Sequence, residues 1–498
     1  MPEALIMRPR DDFGTDPQPI PNDITISAEP EVLRAALPVF DNDQVAFYLT
    51  NTFWGGTARS FNIAPGGTIS VNLSGLTADS LFFAEAALDA WTMVSGINFV
   101  SVLGFADITF GDSDTGGGAY SQSWVSGGTI TSSTVEVETA WLTGDTGNLN
   151  SYSFQTYMHE IGHALGLGHG GDYNGWAGYA ENGTGSNHYL NDSWQMSLMS
   201  YFSQTENSFV DASFAYIATP MIADILAIQS LYGTVGTLRT GDTVYGENSN
   251  AGFYYDTLDF SVMGFTIIDD GGTDWIRFKN EFADMTVDLS EESISSIGGE
   301  TGNMLIARGT IIENFFAGSG NDFVAGNAVD NVILGGSGED IIHGLDGNDN
   351  LHGNKGNDII KGNDGDDLIK GNAGYDTLLG GKGNDTIYGG GGGDLIWGGI
   401  GDDRLIGGKG SDKLIGGAGA DTFVFGPGSG KDKIRDFEIG IDTLEIAAGS
   451  WGSGIGDITV SVYDAVNGYI QLEFGTGDIV KLTGITDILD ISGDFVFV

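Results

Sequence analysis

Apolar residues recur at helical spacing in three segments of the first half of the chain, and each segment carries a start or stop residue. The segments are LFFAEAALDAWTMVSG (81–96), SYSFQTYMHEIGHAL (151–165) and TPMIADILAIQSLYG (219–233). A serine opens the second, Gly96 and Gly233 end the other two, and Pro220 falls in the first turn of the last. Two apolar runs between turn residues, VAFYLT (45–50) and ADITF (106–110), predict strands. We therefore expect a mixed α+β domain.

A nine-residue period replaces this pattern between residues 317 and 424, where twelve nonapeptides follow one another in phase. Position 1 is glycine in eleven units, position 4 is glycine in all but one, and position 8 is always apolar. We expect each unit to form a short strand with position 8 inward, and two units to form one coil. A flexible linker, the alternative, has no need of an apolar core position.

Position 6 of the nonapeptide supplies one carboxylate per unit, except in the second unit, which has Asn331. The aspartates are Asp322, Asp340, Asp349, Asp358, Asp367, Asp376, Asp385, Asp394, Asp403, Asp412 and Asp421. Oxygen ligands on a glycine-rich backbone suit calcium, and the pattern matches a calcium-binding β-helix repeat. We expect several structural Ca²⁺ ions between stacked coils, and a disordered tract without them because the carboxylates repel one another.

The charge and composition of the chain exclude several functions. Its 498 residues include 68 Asp+Glu and 19 Lys+Arg, a formal net charge of −49. Such a charge argues against nucleic acid or an anionic membrane as a partner. The chain has no cysteine, which excludes disulfides, thiol catalysis and cysteine-bound zinc. We expect no membrane span and no cleavable secretory signal, because no apolar run is long enough.

The motif HEIGHALGLGH combines the residue types of a catalytic metal site. His159 and His163 lie four residues apart on one face of the predicted helix, so both can bind the same ion. Gly166 can take a left-handed conformation that turns the chain back and brings in His169 as third ligand. Three imidazoles leave a position open for water, and Glu160 can act as the general base toward it. We therefore expect one catalytic Zn²⁺ ion.

Two alternatives remain for this motif: a helix with solvated or packed histidines, and a zinc site without catalysis. The presence of Glu160 argues against the second. Further along, SLMSY (197–201) offers Met199 as an apolar floor for the zinc site. Tyr201 offers a phenol to the metal or to the oxyanion. Without the zinc helix, this methionine and tyrosine would be ordinary core residues.

Together these motifs resemble the metzincin clan and, within it, the serralysin family of secreted bacterial metallopeptidases. HEIGHALGLGH followed by GGDYN is similar to the zinc region of that family, and SLMSY to its Met-turn. RTGDTVYGENSN (239–250) and IENFFAGSGND (312–322) are similar to its junction with the repeats. The resemblance implies an α+β zinc metallopeptidase (metzincin) domain followed by a C-terminal parallel β-roll with a strand-rich tail. It implies hydrolysis of peptide bonds in extracellular proteins with broad specificity.

The resemblance also implies the organisation of the chain and the roles of its site residues. The expected parts are a leader or pro-segment (1–37), a catalytic domain (38–235), a junction (236–316), the repeats (317–424) and a C-terminal β cap (425–498). The zinc ligands would be His159, His163 and His169, with Glu160 as base and Tyr201 as a switchable further ligand. Calcium near the junction would be held by Arg239, Gly241 and Thr243 through their carbonyls, together with Asp270, Gly272, Asp274 and Glu313.

Some features depart from the family pattern or concern the substrate. Gly170 stands where the family usually has proline, and residues 175–195 are rich in Gly and Asn, which leaves the cleavage preference open. Within that stretch we expect His188 to be a surface residue and not a ligand. Substrate peptides are expected to add as a strand along GGGAYSQSW (116–124), at Ala119, Tyr120 and Ser121.

Two other functional classes serve as alternatives. One is a catalytically silent calcium-binding surface or adhesion protein. The other is a different repeat-bearing exoenzyme, such as a lipase, which needs the motif G-x-S-x-G. The nearest segment, GDSDT at 111–115, lacks the last glycine. For the leading function we expect a monomer that is exported by a type I ABC transporter of a Gram-negative-type bacterium.

The last five residues, DFVFV, resemble the uncleaved C-terminal signal of that export route. Deletion of residues 440–498 is therefore expected to keep the protein inside a host that carries such a transporter. Immunoblots of medium and cells measure this, with full-length Glu160→Ala as the control that is still exported. Export of the deleted chain would contradict the assignment.

Overall fold

A computed structural model describes residues 37–113, 118–142, 145, 147–173, 177–182, 184–234, 238–252, 255, 262–447, 459–464 (backbone only), 468–474, 477–485, 491 and 493–497. The predicted leader lies outside the described residues, apart from Leu37. From Leu37 onward the chain forms a single unit. Within the described part, no helix combines the length and the apolar character needed to cross a membrane.

The α-helices of the first half are Asn42–Phe47 (α1), Ala78–Ser95 (α2), Tyr152–Ala164 (α3) and Ile222–Tyr232 (α4). A π-helical turn at Tyr48–Thr52 follows α1, and a 3-10 turn occupies Thr139–Leu142. Helices α2, α3 and α4 confirm the three predicted helices, and Gly96 ends α2 with a φ of 67°. Helix α4 begins later than expected and leaves Pro220 outside, because the Asp224 carboxylate accepts the N–H of Met221 at its start.

The strand predicted for VAFYLT is wrong, because residues 45–50 belong to α1 and the π-helical turn. The Asp41 side chain accepts the N–H of Gln44, and the Gln44 side chain accepts the N–H of Asp41. This reciprocal cap starts a helix. Val45 and Leu49, four residues apart, are then both fully buried, as one face of a helix requires.

A five-stranded sheet supports the helices. Its strands are Thr68–Asn72 (β1), Asn98–Ser101 (β2), Ile108–Gly111 (β3), Ala119–Ser126 (β4) and Thr129–Val137 (β5). The order is β2-β1-β3-β5-β4, with β4 antiparallel at one edge and the other pairs parallel. Strand β3 confirms the prediction for ADITF. Helix α2 packs on α3, and the Trp91 Nε1–H donates to the Met158 carbonyl at 2.9 Å.

Short strands join the two halves of the molecule. They are Tyr216–Ile217 (β6), Val244–Gly246 (β7), Met263–Ile267 (β8), Trp275–Arg277 (β9), Thr286–Asp288 (β10), Ile294–Ser295 (β11), Met304–Ile306 (β12) and Asn314–Phe316 (β13). A four-stranded sheet of order β11-β12-β8-β6 connects β6 directly to the second half. Arg308 also pairs with Asp43 of α1 at 2.8 Å.

Each nonapeptide contributes one strand. The twelve strands are Phe323–Ala325 (β14), Val332–Ser337 (β15), Ile341–Asp346 (β16), Asn350–Lys355 (β17), Ile359–Asp364 (β18), Leu368–Ala373 (β19), Thr377–Lys382 (β20), Thr386–Gly392 (β21), Leu395–Ile400 (β22), Arg404–Gly410 (β23), Lys413–Ala418 (β24) and Thr422–Phe425 (β25). Strands pair in parallel with the strand two units on, which confirms two units per coil. Every position-8 side chain is fully buried, as predicted.

The two sheets of this roll extend beyond the repeats. The tail adds Lys431–Ile434 (β26), Thr443–Ile446 (β27), Thr459–Asp464 (β28), Tyr469–Glu473 (β29), Ile479–Thr483 (β30) and Phe495–Phe497 (β31). One sheet has even-numbered strands from β10 and β14 to β26, then β30, β29 and β28. The other has odd-numbered strands from β7, β9 and β13 to β27, then β31. The C-terminal half is therefore a large, parallel-strand-rich roll that begins in the junction.

Candidate metal centre

Helix α3 presents the first two histidines of the motif. Ser151 caps the helix by accepting the N–H of Phe154 at 3.2 Å. The helix ends at Ala164, and Gly166 follows with a φ of 108°. A Cβ at Gly166 would collide with the backbone carbonyl of Arg59, so a glycine is needed here for both conformation and space. The chain then turns back and brings His169 to the helix.

The three imidazoles converge on one point. His169 Nε2 lies 3.2 Å from His159 Nε2 and 2.8 Å from His163 Nε2. The Nδ1 atoms of His159 and His163 face the carbonyl oxygens of Leu198 and Leu167 at 2.9 and 2.8 Å. A carbonyl only accepts, so each Nδ1 carries the hydrogen and each Nε2 keeps its lone pair. The lone pairs of His159 and His163 therefore point at the Nε2 atom of His169, and this arrangement fits a cation between the three rings.

Burial controls the protonation of this cluster. It lowers the pKa of His159 to about 4 and that of His163 to about 3, and lowers the pKa of His169 further. The rings are therefore neutral at pH 7, which is the form that binds metal. Burial raises the pKa of Glu160 to about 8, and its Oε2 has no partner among the described residues. A carboxyl group with a pKa near neutrality suits a general base.

The loop at 197–201 lies under and beside the histidines. Met199 is fully buried, and a Cβ placed on Gly162 of α3 would come within 2.7 Å of its sulfur. The Tyr201 ring centroid lies 4.4 Å from that of His169 and 5.8 Å from that of His159. The structure thus places Met199 against α3 and Tyr201 at the edge of the imidazole cluster.

Two buried aspartates that the sequence analysis missed hold this loop. Asp224 accepts hydrogen bonds from Ser197 Oγ at 2.6 Å and from the Leu198 N–H at 2.7 Å. It thereby fixes the Leu198 carbonyl that faces His159. In the sequence, Asp224 stands out only as an acidic residue in the first turn of α4, a position that favours negative charge. That position does not show which distant groups Asp224 contacts.

Asp192 is the second of them, and it accounts for the glycine at position 170. Its carboxylate accepts hydrogen bonds from Ser200 Oγ at 2.7 Å and from the Tyr173 hydroxyl at 3.1 Å. A Cβ on Gly170 would come within 2.7 Å of the Tyr189 hydroxyl and 2.8 Å of Asp192 Oδ1. The residue after the third histidine is therefore small because buried hydroxyl and carboxyl groups occupy the adjacent space.

A cleft at the candidate metal centre consists of two cavities whose linings share Ala119, Glu160 and Tyr201. One side, about 270 Å³, is lined by Phe53, Trp54, Arg59, Ala119–Ser123, Ile130, Glu160, His163, Gly166, His169 and Tyr201. The other, about 340 Å³, is lined by Ala119, Trp141, Tyr152, Gln155, Thr156, His159, Glu160, Trp194, Ser200 and Tyr201. The predicted edge residues Ala119, Tyr120 and Ser121 all line the first side.

His188 lies outside the histidine cluster. Its Nε2 is 3.3 Å from Asp172, and its side chain is 40% exposed. Among the described residues, His159, His163 and His169 are the one group of three or more metal-ligating side chains whose ligand atoms lie close enough together to share an ion.

The structure also brings together the residues expected at the junction calcium site. The Leu238 N–H, next to Arg239, donates to Asp270 at 2.6 Å. The Thr243 N–H donates to Asp274 at 2.7 Å, and the Asp274 N–H donates to Glu313 at 2.6 Å. Gly272 adopts a φ of 144° directly against the Gly241 carbonyl. The Arg239 side chain donates to the backbone carbonyls of Ala251 and Ile268.

The repeat aspartates form two buried ladders. The backbone N–H of each donates to the Oδ1 of the aspartate one coil on, as from Asp340 to Asp358 at 3.0 Å. The second carboxylate oxygen has no partner in ten of them: Asp322, Asp340, Asp349, Asp358, Asp367, Asp376, Asp385, Asp394, Asp403 and Asp412. Burial and neighbouring carboxylates raise the pKa of Asp385 to about 8. Unpaired buried oxygens at this spacing fit hard cations.

The ladders are longer than the sequence period indicated. Asp412 donates its N–H to Asp432 and Asp421 donates to Asp442, at 3.0 Å each, over separations of 20 and 21 residues. The bond from Asp274 to Glu313 continues the pattern before the repeats. These residues were missed as ladder members because their spacing is not a multiple of nine, which hides them from a periodicity search.

Three convergent imidazoles beside a buried glutamate, in a cleft, form the constellation typical of zinc-dependent hydrolases. Residues 235–474 match the family model described as peptidase M10 serralysin C terminal. Metalloprotease AprA of Pseudomonas entomophila (strain L48) is 37% identical over 335 residues, which are 59% of this chain and 66% of that protein. Serralysin of Photorhabdus luminescens is 39% identical over 257 residues, 50% of this chain and 53% of that protein.

These matches show that the chain belongs to the serralysin family. The chain spans between about half and two thirds of the length of these curated relatives, 53% and 66%. A solved structure, the extracellular lipase LipA from Serratia marcescens, aligns over 50% of this chain and 46% of its own at 17% identity. Its TM-score of 0.18 is too low to indicate a shared fold.

The convergence of the imidazoles predicts one tightly bound divalent ion per chain. His163→Ala should weaken zinc binding at least about 100-fold, because it removes a ligand and leaves two. Zinc titration of the metal-stripped protein, read by calorimetry or elemental analysis, measures this effect. His188→Ala is the matched control and should bind zinc as the unmodified protein does. Equal affinity in both variants would contradict the assignment.

Proposed function

We propose that the protein is a secreted zinc-dependent endopeptidase. The observation that carries the proposal is the buried Glu160 carboxyl group, which lies beside the three convergent histidines and lines both cavities of the cleft. A binding protein with no catalysis would have no use for an unpaired buried carboxyl at this position, since its burial is costly. The family membership of the chain supports the same function.

The chemistry is divided among few groups. Zinc bound by His159, His163 and His169 would supply a Lewis acid that polarises the peptide carbonyl and acidifies the attacking water. Glu160 takes the proton from that water and returns it to the leaving amine. The Tyr201 hydroxyl, at the edge of the cluster, donates to the oxyanion that forms on the carbonyl oxygen. Met199 holds α3 from below through its contact with Gly162.

The substrate is proposed to bind as an added strand. Strand β4 pairs with β5 on one side, and no other described strand pairs with its outer edge. That edge, at Ala119, Tyr120 and Ser121, borders the cleft. Backbone hydrogen bonds along an edge recognise an extended peptide whatever its side chains, which supports broad specificity toward unfolded or flexible protein segments.

Loss of the base should abolish turnover and leave metal binding intact. Glu160→Ala should lower kcat/KM for casein or a fluorogenic peptide by about 100-fold to 10,000-fold, the contribution of a general base. The matched control is Glu85→Ala, on the exposed face of α2. Zinc content is measured in parallel. Equal activity of Glu160→Ala and Glu85→Ala would contradict the proposed role.

An unmodified protein that binds zinc and still hydrolyses nothing would have two explanations. The assay is then repeated after removal of residues 1–37. Activity in the trimmed chain would identify this leader as an inhibitory pro-segment. Continued inactivity would favour the catalytically silent calcium-binding surface protein.

The roll is proposed to fold around calcium. The ladders contain carboxylate oxygens that are buried, unpaired and mutually repulsive, and Ca²⁺ ions would neutralise them with oxygen ligands only. Calcium is scarce inside a cell and reaches millimolar concentrations outside it. The roll would therefore fold only after the chain has been exported. Extracellular location and calcium-dependent folding are in this way parts of one proposal.

Calcium dependence predicts unequal roles for two aspartates of one unit. Asp349 is buried in a ladder, whereas Asp346 is exposed at the end of β16. Asp349→Ala should bind less calcium and lose about 1–3 kcal/mol of stability in saturating calcium, and Asp346→Ala should change neither. Calcium titration and thermal unfolding by circular dichroism measure both quantities. A spectrum unchanged by adding calcium to the chelated, unmodified protein would contradict the proposal.

A further inference from the structure

Arg59 is an isolated cation in the cleft. It is the only Lys or Arg between residues 37 and 238, in a chain whose formal net charge is −49. It lines the same side of the cleft as Glu160, His163 and His169. The catalytic chemistry proposed above makes no use of it.

The backbone of Arg59 is held in place from both sides. The next residue, Ser60, donates its N–H to the Gly128 carbonyl at 3.2 Å and accepts the N–H of Ile130 at 2.8 Å. On the other side, the Arg59 carbonyl packs against Gly166, which begins the turn between the second and third histidines. The position of Arg59 is therefore tied to the metal centre.

The side chain is ordered as well. The Arg59 guanidinium carbon lies 3.8 Å above the centroid of the Trp54 ring. Trp54 is itself anchored, since its Nε1–H donates to the Gly166 carbonyl at 2.7 Å. Phe53 packs edge-on against both Trp54 and His169, at ring distances of 4.7 and 5.4 Å. Stacking on an aromatic face leaves the edge of the guanidinium plane available for a carboxylate.

No carboxylate among the described residues forms an ion pair with Arg59. Partial burial lowers the pKa of Arg59, as expected for a charge that has lost water without gaining a counter-charge. Of the next two arginines, Arg239 donates to backbone carbonyls, and Arg277 stacks on Trp275 in the roll as Arg59 stacks on Trp54. A partly desolvated, unpaired guanidinium beside a peptide-binding edge is built for a carboxylate ligand.

We propose that Arg59 forms an anionic subsite and that the protein prefers peptides with Asp or Glu on the Phe53–Trp54 side of the scissile bond. The inference rests on the proposed endopeptidase function and adds a substrate class to it. A peptide strand advances about 3.3 Å per residue. Since one pocket holds both Arg59 and Glu160, the favoured acidic residue lies within about three positions of the cleaved bond.

The test uses the zinc- and calcium-loaded protein and paired fluorogenic peptides. In each pair, Glu or Gln occupies one of three positions on either side of the cleaved bond. For the unmodified protein, kcat/KM should be about 3 to 10 times higher for the Glu peptide than for the Gln peptide, at a position on one side of the cleaved bond only. This factor, the Glu/Gln ratio, is the size expected for a partly exposed charge pair. The ratio should approach 1 in Arg59→Gln, fall below 1 in Arg59→Glu and persist partly in Arg59→Lys.

Arg277→Gln is the matched control, because it also removes an arginine stacked on a tryptophan, and its Glu/Gln ratio should equal that of the unmodified protein. Higher ionic strength should reduce the ratio in the unmodified protein. A ratio near 1 in the unmodified protein, or the same ratio in Arg59→Gln, would overturn the proposal.

Failure of the proposed function has a different signature. If no peptide is hydrolysed, the dissociation constants of the same Glu and Gln peptides are measured by fluorescence anisotropy for the unmodified protein and for Arg59→Gln. A preference for Glu that Arg59→Gln removes would support the subsite in a protein that does not catalyse hydrolysis. Equal affinities for Glu and Gln peptides in both proteins would overturn the subsite together with the function.

Discussion

Both halves of the molecule bury groups that repel one another, and this repulsion is the constraint on which the rest of the structure depends. Three imidazole nitrogens meet in the N-terminal half, and two ladders of carboxylates stack in the C-terminal half. In a chain with 68 acidic and 19 basic residues, side chains cannot supply the missing positive charge. Cations from solution are the remaining source of that charge, and the proposed zinc and calcium ions would supply it.

The geometry of the candidate metal centre depends on residues outside the histidine cluster. Trp91 holds α3 through the Met158 carbonyl, and Asp224 fixes the loop whose carbonyl orients His159. Asp192 joins the loop after the third histidine to the loop under the helix. The first two contacts act on His159, and the third acts on the loop that follows His169, so packing and hydrogen bonds orient the imidazole cluster.

Periodic and local features could be predicted from the sequence, whereas tertiary partners could not. The helix over 151–165 and the inward eighth position of the repeats follow from spacing alone, and the structure confirms both. The segment 45–50 was assigned the wrong element because its short apolar run does not distinguish a strand from a helix, and the cap at Asp41 decided the outcome.

The supporting residues show the same limit. Asp192 and Asp224 are unremarkable acidic residues in the sequence, and they become important only because distant hydroxyl and N–H groups surround them. The ladder members Asp432 and Asp442 were missed for a related reason, since their spacings of 20 and 21 residues break the period. Arg59 is notable in the sequence for its isolation, but only the fold places it in the cleft.

Because strands alternate between two sheets, the roll limits the lengths of the insertions and deletions that it can accept. Loss or gain of eighteen residues removes or adds a whole coil, about 4.8 Å of length, and leaves every later strand in its own sheet. A change of nine residues moves every later strand to the opposite sheet, together with the tail strands and the cap they form. Natural length variants of this roll should therefore differ by whole coils, with extra residues tolerated only in turns, as between Asp412 and Asp432.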